Sequence, residues 1–176
     1  MRGAVEYNQF TSGTFAGVVA GDPVLIRIKL DSTNFLNNPI YPTRGYWFDP
    51  STFYMTVGSV DVSLSPTVTN AYFVIRNNDP QVDGFFISTG TGFDEEILLD
   101  MTPAGYGIGW KWTLAGGTTL SSLDILGALG TYGYPNISVF NWAVRYGEIS
   151  YPLFFNPPTE EPSYAICLPG DANDQR

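Results

Sequence analysis

Residues 53–64 run Phe53-Tyr-Met-Thr-Val-Gly-Ser-Val-Asp-Val-Ser-Leu64, and the reading of this stretch decides the fold class. Phe53, Met55 and Val57 alternate with more polar neighbours. After Gly58-Ser59 the alternation resumes, with Val60, Val62 and Leu64 set against Asp61 and Ser63. A period of two sends successive side chains to opposite faces of an extended chain, so each half reads as a strand with one buried face. Gly58-Ser59 breaks the pattern at hairpin spacing, and residues 52–64 are expected to form one β-hairpin.

The same period recurs on both sides of this hairpin. Ile26, Ile28 and Leu30 stand opposite Leu25, Arg27 and Lys29, and Tyr72, Val74 and Arg76 share a second phase. Further strands are expected near residues 3–10, 84–88, 96–101, 107–114 and 137–146, divided by clusters of Gly, Pro, Asn and Asp. Short strands at regular intervals predict an all-β fold, an antiparallel, jelly-roll-like β-sandwich of roughly eight to eleven strands. One short helix is expected at 121–129. Ser121 would cap its first turn, Asp124 would complete a capping-box-like pair, Gly130 would end it, and Leu123, Leu126 and Leu129 would face the sandwich. From residue 152 the composition shifts to Pro152, Pro157, Pro158, Glu160, Glu161 and Pro162, which reads as an extended tail. The expected division is therefore a sandwich domain over 1–151 and a Pro/acidic tail or linker over 152–176.

A chain of 176 residues is long enough to bury a single core without staples. Seventeen acidic against eight basic residues give a net charge of −9, and the basic residues are scattered singly along the chain. Such a chain repels phosphate backbones and anionic lipid, which disfavours nucleic-acid binding and membrane-surface docking. No apolar run approaches the ~20 residues of a spanning helix, so membrane insertion is not expected. Its first residues lack a charged start followed by a hydrophobic run, and the sequence reads as a mature fragment. Cys167 is the only cysteine, which rules out an internal disulfide and leaves the redox compartment open.

The stretch Phe73-Val-Ile-Arg-Asn-Asn-Asp-Pro-Gln-Val-Asp-Gly-Phe-Phe-Ile-Ser88, with residues 121–130, Phe140-Asn-Trp142 and the early Phe15-Ala-Gly-Val-Val-Ala-Gly-Asp-Pro-Val24, resembles secreted bacterial β-sandwich proteins of the PEP-CTERM-sorted type. That resemblance implies an exported protein, secreted or held at the cell surface, and implies no particular activity. The tail Leu168-Pro-Gly-Asp171-Ala-Asn173-Asp174-Gln175-Arg176 is similar to the opening of a dockerin-type calcium loop, with Asp171 and Asn173 at its first two ligand positions.

The sequence holds no histidine, which removes the commonest general base, the Ser-His-Asp and Cys-His arrangements and the usual zinc sites. Without a base to activate it, Cys167 reads as a bystander thiol. Asp94, Glu95, Glu96 and Asp100 form the densest acidic cluster and are the only candidate for a carboxylate-pair glycosidase or lyase. In a Gly-rich segment such neighbours read first as a solvated turn. Calcium is the candidate cofactor. Asn77, Asp79 and Asp83 cluster their oxygens in one inter-strand loop, although an Asx-turn explains the same residues without metal.

Aromatic residues carry the remaining signal. Trp110 and Trp112 fall in phase with Ile108 and Leu114, and Trp142 with Phe140 and Val144, so all three indoles are expected in the core. Residues 41–50 differ, because Pro42, Gly45 and Pro50 interrupt the alternation and suggest a loop bearing Tyr41, Tyr46, Trp47 and Phe48. Those four rings either cap the open end of the sandwich or form an exposed binding patch. The functional expectation is a non-catalytic extracellular or cell-surface protein of structural or adhesive kind. Its partners would be polysaccharide or copies of itself, and the alternative is a carbohydrate-binding module supported by calcium.

Overall fold

The structure is a computed structural model, and it describes residues 1–79, 81–92, 96–114, 116–133, 137–147, 149–156, 164–166 and 168. Its strands are β1 (Arg2–Asn8), β2 (Pro23–Arg27), β3 (Phe35–Asn37), β4 (Thr43–Trp47), β5 (Tyr54–Val57), β6 (Val60–Val62), β7 (Tyr72–Arg76), β8 (Asp83–Ser88), β9 (Ile97–Leu98), β10 (Tyr106–Leu114), β11 (Gly130–Tyr132), β12 (Ile137–Tyr146), β13 (Ile149–Asn156) and β14 (Tyr164–Ile166). The fold is all-β and, among the described residues, every strand pair is antiparallel.

The expected hairpin is present as β5–β6, with Val57 opposite Val60 across Gly58-Ser59. Gly58 adopts a φ of 58°, which a side chain disfavours. The sandwich-like layers come from one strongly curled sheet, and β11 and β14 pair apart from it as a second, two-stranded sheet. One sheet runs β3-β4-β7-β8-β10-β12-β13-β1-β2-β5-β6, with β9 paired to β10 beside it. The β6 end then returns to β9: Ser65 N–H donates to Leu98 O at 2.9 Å, Asp100 N–H donates to Ser63 O at 2.9 Å, and Leu64 bridges Leu99. Strands β10, β12, β13, β1, β2, β5, β6 and β9 therefore close into a hydrogen-bonded circuit, which removes free edges from most of the sheet.

Strand β10 is the fork. Gly107 and Ile108 pair with β9, whereas Lys111–Leu114 pair with β8, so β8, β7, β4 and β3 branch from the circuit and end at β3. Gly84 permits the close β8–β10 approach, since a Cβ there would collide with the carbonyl oxygen of Trp112. Trp110, Trp112 and Trp142 are buried as expected. Rings follow one another through the core: Phe85–Phe73 at 5.6 Å, Phe73–Trp110 at 6.1 Å, Trp110–Trp112 at 6.4 Å, Trp112–Phe140 at 5.5 Å and Trp142–Phe155 at 5.3 Å.

Three expectations are corrected. The helix at 121–129 is a single 3₁₀ turn, Ile125–Ala128, capped by Asp124, whose carboxylate accepts from Leu126 N–H at 3.0 Å. A three-residue repeat turns Ile125 and Ala128 inward and leaves Leu126 and Leu129 exposed. The segment 41–50 is not wholly loop, because β4 occupies its centre. Gly45 belongs in that strand: a Cβ would press on Thr91 and on Tyr72, both of which lie across it. Finally, β13 carries the chain past residue 151 to Asn156, paired on both sides with β1 and β12 and burying Leu153 and Phe155. Pro152 therefore falls inside a strand, not at the start of a tail.

Candidate functional site

Strand β4 sorts the four candidate rings by parity. Tyr46 and Phe48 point inward and are 1% exposed, while Trp47 faces the other way and is half-buried. Tyr46 is a structural anchor: its hydroxyl donates to Leu123 O at 2.7 Å and accepts from Ile125 N–H at 2.9 Å, which ties the 3₁₀ turn to the sheet. Of the ring patch expected at 41–48, Tyr46 and Phe48 thus cap the core, and Tyr41 and Trp47 remain at the surface. Tyr46→Phe is expected to leave the carbonyl and the amide unpaired and to cost about 1–3 kcal/mol. A thermal melt of that variant measures the loss.

On the outer face Trp47 stands opposite Tyr72 of β7, a residue whose alternation predicts a strand and nothing more. Directly opposed residues hold their Cβ atoms about 4.5–5.5 Å apart, so these two half-buried side chains leave the same face of the sheet, with the Tyr72 ring lying over Gly45. Asn38 organises the adjoining turn, its Oδ1 accepting from Ile40 N–H at 2.8 Å and Tyr41 N–H at 2.9 Å. Thr91 closes the other side: Thr43 Oγ1 donates to Thr91 O, and Asn38 Nδ2 donates to Thr91 Oγ1 at 3.4 Å. Thr91 and Tyr72 lie over Gly45, Asn38 and Tyr41 lie beside Gly92, and Trp47 follows Gly45 on the same face of β4, so these residues share one strand-backed region. Asn38 and Thr91 engage their polar groups inside this frame and Thr91 is buried, so what the surface offers is the half-buried rings of Tyr41, Trp47 and Tyr72.

The proposed calcium residues are engaged by the protein itself. Asp83 is fully buried, its Oδ1 accepting from Asn78 N–H at 3.0 Å and its Oδ2 from Leu120 N–H at 2.7 Å. Asp79 lies 3.2 Å from the Arg76 guanidinium, which also donates to Asp79 O at 2.7 Å. Asn77 Oδ1 accepts from Asn78 Nδ2 at 3.3 Å. A cation at this loop would have to displace a guanidinium and two main-chain amides. Among the described residues, no group of three or more His, Cys, Asp or Glu side chains converges on one point.

Of the acidic cluster, Asp94 and Glu95 lie outside the described residues, as do Cys167 and the tail over 169–176. Asp100 is exposed beside β9. Glu96 crosses the outer face of β10 and pairs with Arg145 at 2.5 Å. Gly107 makes room for it, because a Cβ there would lie 2.7 Å from Glu96 Oε2. No protein-family model, curated protein or solved structure matches this chain.

Proposed function

We propose that the chain is a non-catalytic extracellular or cell-surface protein of adhesive kind that works by surface contact, and that polysaccharide is the ligand of that surface. The Trp47–Tyr72 pair on the outer face carries this reading. Pyranose rings stack on aromatic faces that are held rigid, and these two sit on adjacent strands with Tyr41, Asn38 and Thr91 beside them. The acidic net charge, the lack of histidine and the resemblance to exported β-sandwich proteins support a surface-acting protein without chemistry of its own.

The test is affinity electrophoresis through gels containing different polysaccharides, run with calcium and with chelator in parallel. Wild-type protein should be retarded by at least one glycan. Trp47→Ala and Tyr72→Ala should each weaken the apparent dissociation constant about tenfold or more, the loss typical of a central anchor residue. Tyr46→Phe should bind like wild type at a temperature where it remains folded. Unretarded migration through every gel, or equal retention of the Trp47 and Tyr72 variants, would overturn the glycan reading. Retention that requires calcium would restore a metal to the 77–83 loop.

A further inference from the structure

We infer that strand β3 is a self-pairing edge through which two copies of this chain join their sheets. Trp47 N–H donates to Asn34 O at 3.0 Å and Asn38 N–H donates to Thr43 O at 3.0 Å. The even-numbered residues of this segment therefore face β4. By alternation, Phe35 and Asn37 turn their main-chain N–H and C=O groups away from it. β3 ends the strand order, and among the described residues no strand lies on that outer side. The rim exposes Phe35 (43%), Leu36 (54%) and Ile40 (78%), with the Arg44 guanidinium 4.2 Å over the Phe35 ring and donating to Asn37 Oδ1.

The occupant follows from register. Two copies of Phe35–Asn37 set antiparallel about a two-fold axis through Leu36 bring Phe35 opposite Asn37 of the second copy, and the reverse. Each such pair exchanges both of its hydrogen bonds, so every outward donor and acceptor of the strand finds a partner. Leu36 then meets its own copy at the non-hydrogen-bonded position, where side chains approach most closely. A longer foreign strand would leave most of its backbone unpaired against a three-residue edge. The second copy fits this edge and adds a second set of apolar rim residues.

The geometry has a consequence for binding, and here the inference rests on the proposed glycan surface. Leu36 lies opposite Gly45, on the face that carries Trp47, so a two-fold axis normal to the sheet leaves both Trp47–Tyr72 pairs on one side. The two β4 strands would be separated by three strand spacings, roughly 14 Å. The contact is small and each copy carries a net charge of −9, so pairing is weak and strengthens as salt screens the repulsion. Weak pairing still raises avidity when many copies are displayed together.

Sedimentation velocity on the full chain should show the average mass rising with protein concentration, and rising further between low and high salt. Leu36→Lys should abolish that rise while its melting temperature stays near wild type. In a Cys167→Ser background, Leu36→Cys should form a disulfide-linked dimer under mild oxidation at least tenfold faster than Val19→Cys, an exposed position away from β3. A monomer at every concentration and salt, together with equal cross-linking of the two cysteine variants, would overturn the pairing. That outcome would leave glycan retention by the monomer untouched. Loss of retention with intact self-association would instead remove the glycan surface alone.

Discussion

Asp83→Ala is expected to lower the stability of this protein by about 2–5 kcal/mol, because two main-chain amides, that of Leu120 buried and that of Asn78 part-buried, lose their carboxylate acceptor at once. Asp83 opens β8 opposite Leu114 and is fully buried. One oxygen fixes Asn78 N–H, in the loop that leaves β7, and the other fixes Leu120 N–H, 37 residues further on. The carboxylate thus joins two loops that no strand pairing connects. At roughly 2–4 °C per kcal/mol for a chain of this size, the melting temperature should fall by about 5–15 °C. Asp83→Asn should fall less, because its carbonyl still satisfies one amide while its amide nitrogen opposes the other. Differential scanning calorimetry of the three proteins, with calcium and with chelator, separates this role from a metal-binding one. The two wild-type melts are expected to coincide. If calcium raised the melting temperature of the wild type and the rise vanished in Asp83→Ala, the carboxylate would be a ligand and not a loop tie.

The hairpin at 53–64 and the three core indoles were legible in the sequence because each depends only on local alternation. Residues in phase with Met55 or Trp110 have nowhere to go except the buried face, whatever the strand order proves to be. The closed circuit was not legible. It rests on Ser63 and Ser65 meeting Leu98 and Asp100, polar and apolar residues that carry no pairing code and lie more than thirty positions apart. The fork in β10 was hidden for the same reason, since one strand with one alternation is paired along its length by two different neighbours.

The candidate surface was half legible. Gly45 and the flanking prolines carry the local signature of a loop, yet Gly45 is bare because Tyr72 and Thr91 lie over it, a contact that only tertiary structure reveals. Once 43–48 is taken as extended, parity alone sends Tyr46 and Phe48 to one face and Trp47 to the other. That signal was present in the sequence. Tyr72 had no such signal, because its place beside Trp47 depends on the β4–β7 register. The helix at 121–129 misled for a related reason. Leucines at 123, 126 and 129 suggest a buried stripe, but the cap sits at Asp124, and a 3₁₀ turn started there points Ile125 and Ala128 inward.

Trp110→Ala is expected to cost about 3–5 kcal/mol, the range for removing a large aromatic from a core. Trp110 lies on β10 between the residues paired with β9 and those paired with β8, where the circuit and the branch share one strand. Its ring is buried, stacked near Phe73 of the branch at 6.1 Å and Trp112 at 6.4 Å. The cavity would open where the two parts of the sheet depend on a common support, and the strands on either side cannot close on it without breaking register. Guanidinium unfolding followed by fluorescence of the remaining tryptophans should show a midpoint shift with an unchanged slope if the whole chain unfolds as one unit. A shallower slope or a second transition would show that β3, β4, β7 and β8 unfold separately from the circuit. Trp110→Phe, which keeps an aromatic against Phe73, should recover a large part of the loss. Failure of that rescue would place the stabilising contact on the indole's second ring and not on the stack with the branch.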